Sequence, residues 1–160
     1  MIDNNGFRSN IAIVLMNAHQ QVFWGRRVGG HDAWQFPQGG MMQGESHEQA
    51  MYRELHEELG LLPQHVSVIA SMGPWAYYRI PRHFRRYHSK PLCIGQKQKW
   101  FLLRLNMPDS TLCLDHAEKP EFDQFRWVDM AYAVDNIIDF KRKVYLKAYR
   151  CFADHLDKTK

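Results

Sequence analysis

Cysteine is scarce in this chain of 160 residues: Cys93, Cys113 and Cys151 are odd in number and none stands in a C-x-x-C pair. That excludes a disulfide framework and gives no sign of a zinc site, so three reduced, packed thiols are expected. No apolar run approaches the length of a membrane span, and the opening MIDNNGFRSN lacks the charged-then-apolar layout of a secretory leader. A cytoplasmic protein with no membrane partner is the expectation. The nine histidines include no H-x-x-x-H pair and are read as structural or solvent-facing. Repeats and low-complexity tracts are lacking too, and the sequence stops soon after its last helical pattern, with no tail expected beyond it. What remains fits one domain, 1–160, with a genuine core. Its formal net charge of +4 favours an anionic partner.

The informative stretch is GGMMQGESHEQAMYRELHEELGL, Gly39 to Leu61. Ser46 with Gln49 three residues later is a capping-box pattern, and the run to Leu59 is rich in Glu, Gln, Ala, Met and Leu, with no Gly or Pro. Gly60 supplies a residue that tolerates the left-handed end of a helix. The spacing predicts a helix from near Ser46 to Leu59, with Tyr52, Leu55 and Leu59 on one side and Glu54, Glu57 and Glu58 on another. Three neighbouring carboxylates repel one another and call for a compensating cation. Hard oxygen ligands suit Mg²⁺ or Mn²⁺, held by a few carboxylates, waters and substrate phosphates. Arg53 is placed to orient those carboxylates by charge-assisted hydrogen bonds.

Gly39, Glu45, Arg53, Glu54, Leu55, Glu57, Glu58, Gly60 and Leu61 fill every fixed position of G-x5-E-x7-R-E-U-x-E-E-x-G-U, with U aliphatic. In this the chain resembles the Nudix hydrolases. The resemblance implies an enzyme that cleaves a nucleoside diphosphate linked to another group, using divalent metal on a loop-helix-loop. It further implies that Glu54, Glu57 and Glu58 are metal ligands, joined by the backbone carbonyl of Gln38, and that Glu45 is structural.

Elsewhere the chain reads as short strands. Ile11 to Met16 and Val22 to Trp24 flank the polar turn NAHQQ as a hairpin, followed by Arg26, Arg27 and a flexible VGGHDA turn. Trp34 to Pro37 then lead into the motif. Val66 to Ala70 alternate as a half-buried strand, Trp75 to Ile80, Lys99 to Leu105 and Phe122 to Val128 read as three more, and a helix is expected from about Phe140 to His155. Val144, Ala148 and Cys151 form its inward stripe, with Lys141, Arg142, Lys143, Lys147 and Arg150 mostly on the remaining surface. The fold class expected is α+β, an α/β/α sandwich with a mixed β-sheet covered on both faces.

Arginines and aromatics interleave in YYRIPRHFRRYHSK, Tyr77 to Lys90, a mixture that suits a polyanion with unpaired bases. PLCIGQKQKW, Pro91 to Trp100, is too polar to be a fully buried strand, so some of its side chains should face a cleft. With IDNNGFRSN, WQFPQGG, ESHEQAMYREL, KPLCIGQKQKWFLL, PEFD at Pro120 to Asp123 and FKRKVY at Phe140 to Tyr145, the resemblance narrows to the bacterial RNA 5′-pyrophosphohydrolases and their dinucleoside polyphosphate hydrolase relatives. One departure is an entry loop, VGGHDAWQF, a residue longer than that context, which bears on where Arg27 sits. The implied reaction is hydrolysis of a 5′-triphosphate RNA end to a monophosphate. Glu54 and Glu58 mainly hold metal in that scheme, and Glu57 or Glu121 takes a proton. Arg8, Arg27, Lys97 and Lys141 contact phosphate, and Phe140 stacks a base. Dinucleoside polyphosphates are the alternative substrate, and a module that binds RNA ends without cleaving them a third reading.

Overall fold

An apolar run as continuous as Ile11 to Met16 can be satisfied only if both faces of its strand are covered. In the computed structural model, which describes residues 1–156, all of those side chains are at most 1% exposed. The strands are β1 (Phe7–Met16), β2 (Val22–Arg27), β3 (Trp34–Gln35), β4 (Gln38–Gly40), β5 (Val66–Ser71), β6 (Ala76–Arg79), β7 (Gly95–Leu105) and β8 (Phe122–Val128). The helices are α1 (His47–Leu59), α2 (Met130–Asn136) and α3 (Arg142–Leu156). Among the described residues no helix is long and apolar enough to cross a membrane.

β1 is the central strand. It runs parallel to β7, from Phe7 opposite Gly95 to Met16 opposite Arg104, and its other edge pairs antiparallel with β4. β5 and β6 both pair antiparallel with β7, while β2 carries β3 and β8. The result is one mixed sheet, the expected α/β/α arrangement. Alternation along β1 divides the core in two. Ile11, Ile13 and Leu15 join Phe23, Met51, Leu55 and Leu59 beneath α1. Ala12, Val14 and Met16 join Trp24, Phe36, Trp100, Tyr145 and Phe152 beneath α2 and α3.

Tyr145 fixes the approach to the motif. Its ring stacks on Phe36 at 4.7 Å, and its hydroxyl oxygen accepts the Phe36 N–H at 3.0 Å. Losing that acceptor would leave a buried N–H unpaired, at about 1–3 kcal/mol.

Several expectations need correction. The hairpin is a single residue pair, Met16 with Val22, closed by Asn17, whose Oδ1 accepts the N–H groups of His19 and Gln21. β2 then leaves β1 to pair with β8. β1 and β7 begin earlier than the apolar pattern, at Phe7 and Gly95, because their polar N-terminal halves pair with each other. In the Pro91–Trp100 tract Cys93 and Gln96 do line a cleft, whereas Gln98 is fully buried: its amide N–H group donates to Asn10 at 2.9 Å and Gln38 at 3.2 Å, and its oxygen accepts the Trp100 indole N–H. Helix α2 went unforeseen, and Phe140 and Lys141 sit in a 3₁₀ turn ahead of α3. Phe152, four residues beyond Ala148, takes the inward position expected of Cys151. Cys113 and Cys151 are exposed and Cys93 half-buried, so the thiols are free but not all packed.

Candidate active site

Helix α1 is opened by the capping box read from the sequence: Ser46 Oγ accepts the Gln49 N–H at 3.1 Å, and Gln49 Oε1 accepts the Ser46 N–H at 2.9 Å. Gly60 closes it with φ +70°, and its N–H donates to the His56 carbonyl. A side chain there would meet Cys113 at 2.8 Å. Both ends are therefore fixed by local chemistry, which sets the rotation of the glutamates about the helix axis.

The three carboxylates do not share one environment. Glu54 and Glu58 are buried against β4, whereas the Glu57 side chain is 48% exposed. Gly39 explains how the first of these fits: a Cβ at that position would lie 2.0 Å from the Glu54 carboxyl carbon, so only glycine lets the strand and the carboxylate coexist. Glu58 receives the Gln38 backbone N–H and hydrogen-bonds to Glu54. Burial, chiefly, holds Glu54 above the usual carboxylate range. Burial again, then Glu54 and Glu121, push Glu58 well above it. Two carboxyls buried side by side disfavour being charged together, so each raises the cost of ionising the pair.

Arg53 ties the loop to the helix. Its guanidinium grips Glu45 through two bonds of 2.7 and 3.0 Å, donates to Glu54 at 2.7 Å and the Gly40 carbonyl at 2.8 Å, and reaches Glu57 at 3.3 Å. Glu45 in turn accepts the Met42 N–H, and the Arg53 hydrogen bond holds its carboxyl below the ordinary range. Glu45 thus braces the loop, while Arg53 neutralises only part of the acidic cluster.

A divalent cation fits what is left. Glu58 Oε1 is buried with no hydrogen-bond partner among the described residues. An orphaned, buried carboxylate oxygen beside a second carboxylate is a place where a hard cation replaces a proton. Among the described residues no three His, Cys, Asp or Glu side chains are already gathered as ligands, since Glu57 is turned toward Arg53.

Around this centre the other residues named from the sequence fall into two groups. Glu121 pairs with Arg27 at 3.4 Å and lies close enough to raise Glu58, so it joins the acidic centre to the next cleft. That cleft, about 430 Å³, is lined by Arg27, Trp34, Gln35, Phe140 and Lys141 among others. Lys141, expected on the surface, is buried: its ammonium donates to Gln35 Oε1 at 3.2 Å and lies 5.7 Å from the Tyr78 ring. Burial lowers its pKa to about 8, with Arg27 acting in the same direction. Arg8 lies in β1 and lines a separate cleft with Phe84, Arg85, Arg86 and Gln96.

Lys97 stands apart from both clefts. Its ammonium pairs with Asp3 at 3.0 Å and lies 5.0 Å from the Trp75 ring. In the arginine-aromatic segment, Tyr77, Phe84 and Tyr87 are exposed, but Tyr78 is core. Trp34, Arg126 and Tyr132, which also line the Arg27 cleft, were not foreseen as site residues. A signal was available in the alternation of β8, which sets Arg126 opposite Trp24.

The loop-helix-loop with its buried carboxylates, carried at the edge of a mixed sheet, defines a Nudix hydrolase: the chain belongs to the NUDIX domain family, whose model matches residues 6–148. Nudix hydrolases use divalent metal ions. Among curated relatives, the RNA pyrophosphohydrolase of Cellvibrio japonicus (strain Ueda107) is 54% identical over 150 residues, which cover 94% of this chain and 88% of that one. The RNA pyrophosphohydrolase of Shewanella oneidensis is 54% identical over 153 residues, covering 96% and 87%. Of solved structures, the E. coli dihydroneopterin triphosphate pyrophosphohydrolase shares the fold, with a TM-score of 0.70 at 20% identity over 88% of this chain and 95% of that one.

Proposed function

We propose that the chain, acting in the cytoplasm as one domain over residues 1–160, hydrolyses the 5′-triphosphate end of RNA to a 5′-monophosphate. Pyrophosphate, or phosphate in steps, is released, and the trimmed RNA enters decay. The observation that carries this reading is the junction of two sites at Glu121: buried carboxylates on one side, and on the other a cleft offering Arg27, Lys141 and the Phe140 ring. Relatives at 54% identity that bear the name RNA pyrophosphohydrolase support it.

Glu54, Glu57 and Glu58, with the Gln38 carbonyl, are the groups that would hold a divalent ion, Mg²⁺ in this reading, with Mn²⁺ able to substitute. Such an ion, when bound, neutralises phosphate charge and lowers the pKa of a water. The chain's own residues do the rest. Arg53 holds Glu54 and Glu57 in orientation through its fixed fork of donors. Arg27 and Lys141 meet phosphate oxygens, and Phe140, beside Tyr78 and Phe84, offers a face to a base, whereas Arg8 lines its own cleft and Lys97, paired with Asp3, is not gathered with them. Glu57 or Glu121 accepts the proton of the attacking water as the P–O bond to the leaving pyrophosphate breaks. Both carboxylates are partly exposed and each is held by an arginine, so both are accessible to water.

A second reading, hydrolysis of dinucleoside polyphosphates, is favoured by the same cleft, whose aromatic face would stack a nucleoside equally well. Parallel turnover of end-labelled triphosphate RNA and of dinucleoside polyphosphates separates the two. Under the first reading, Arg27→Ala and Phe140→Ala each lower kcat/KM for RNA more than for the dinucleotide. Equal losses would overturn the RNA assignment.

A further inference from the structure

The outer end of the Arg27 cleft is more elaborate than one stacked base requires. Arg126 projects there with its guanidinium 4.2 Å from the Trp34 ring and 5.8 Å from the Tyr132 ring. Both distances lie within the range at which a cation is attracted to an aromatic face. The guanidinium makes no hydrogen bond or ion pair among the described residues, so its donors are unspent.

The entry loop helps to build this platform. His31 and Asp32 adopt left-handed φ values of +54° and +66°, and Asp32 Oδ1 accepts the Trp34 indole N–H at 2.8 Å. That bond fixes the ring on which Arg126 rests. Asp32 keeps its negative charge on this wall, but it forms no ion pair with Arg126 among the described residues.

Position fixes what such a cation would meet. Arg126 pairs with Trp24, three residues back along β2 from Arg27. At roughly 3.3 Å per strand residue its backbone is on the order of 10 Å from that of Arg27, on the side away from Glu121 and the buried carboxylates. An anion there lies further along β8 from Glu121 and the buried carboxylates than one held by Arg27.

We propose that Arg126, braced by Trp34 and Tyr132, binds the phosphate that joins the second and third nucleotides of an RNA substrate. This rests on the RNA reading above and adds to it a reason for preferring a continuing chain. Arginine is suited to such a contact because its planar fork takes phosphate oxygens two at a time, and prior stacking reduces the freedom lost on binding.

The experiment compares kcat/KM on a 5′-triphosphorylated dinucleotide with that on the corresponding trinucleotide and on a longer RNA, across a salt series, for wild type, Arg126→Gln and Arg126→Lys. Wild type is expected to favour substrates with the third nucleotide by about tenfold, the scale of one charge-assisted phosphate contact. Arg126→Gln abolishes that preference and makes the salt dependence shallower by about 0.7 in log-log slope, the value for one single-strand phosphate contact. Arg126→Lys keeps the slope and loses part of the preference. If Arg126→Gln lowers both short substrates equally, Arg126 merely braces Trp34 and the proposal falls. It falls also if wild type shows no length preference. Wild type that cleaves dinucleoside polyphosphates but no triphosphate RNA instead overturns the substrate reading itself.

Discussion

Replacing Glu58 by glutamine should stabilise the metal-free protein at neutral pH while abolishing its thermal response to Mg²⁺. Glu58 is 5% exposed, sits against Glu54 and has one oxygen with no partner. Its pKa in the folded state lies above the unfolded value, so the folded state binds the extra proton. The associated stability is fully present below the ordinary carboxylate pKa and is lost as pH rises through the raised one. At neutral pH the metal-free protein therefore carries a penalty that a neutral amide of the same shape avoids. The Glu58→Gln amide oxygen can still accept the Gln38 N–H, and its NH₂ can donate to Glu54. Relieving one buried, poorly compensated carboxylate is worth about 2 kcal/mol, which for a chain of this size is about 4–8 °C in Tm.

Mg²⁺ acts differently on the two proteins. At a free concentration of about 100 Kd it would stabilise wild type by about 2.7 kcal/mol and leave the variant nearly unmoved. The assay is thermal unfolding with EDTA or with Mg²⁺, at pH values spanning the acid range to neutrality. Metal-free wild type should lose stability with rising pH more steeply than Glu58→Gln. A variant less stable than wild type at neutral pH without metal would refute the reasoning, as would an equal gain from Mg²⁺ in both.

Other perturbations test neighbouring links. Glu54→Gln and Glu57→Gln should each reduce metal-dependent turnover by about 100-fold or more while circular dichroism shows the fold intact, and unchanged turnover in both would remove the site assignment. Gly39→Ala should displace the Glu54 carboxyl, costing about 1–3 kcal/mol in denaturant unfolding and most of the turnover. Lys141, with a pKa near 8, is charged below that pH and neutral above it. KM for triphosphate RNA should therefore rise as pH passes through 8, and the rise should vanish in Lys141→Met.

The acidic centre was legible in the sequence because its determinants are local. Ser46, Gln49 and Gly60 fix the helix ends, and helical rotation then brings Glu54 and Glu58 to adjacent positions. What helical spacing could not supply is the difference between Glu57 and its neighbours: only the arrival of β4 buries two of the three. The apolar half of β1 was legible as a strand, but not its polar half, whose pairing with β7 is set by residues some ninety positions away. The Arg27 cleft was harder to read. Lys141 looks like one of several solvated lysines, and its burial depends on Gln35 and Tyr78, far away in sequence. Arg126 carries no motif at all, and becomes conspicuous only when β8 sets it beside Trp34 and Tyr132.

Gln38 shows why the two halves work as one. Its backbone N–H serves Glu58 on the α1 side, while its side-chain oxygen accepts from Gln98, which also bonds Asn10 inside the sheet. The Tyr78 hydroxyl hydrogen-bonds to the same side chain, and the Tyr78 ring lies beside both Phe140 and Lys141. One residue of a three-residue strand thus touches the acidic centre through its backbone and, through its side chain, the Tyr78 that packs against Phe140 and Lys141 of the Arg27 cleft. The buried amides have well-defined partners on each side, and shifting any of them would leave a polar group unpaired. That stiffness holds the buried carboxylates and the Phe140–Lys141 wall of the cleft at a fixed separation. It explains why so polar a stretch as GQKQKW occupies a strand at the centre of the sheet.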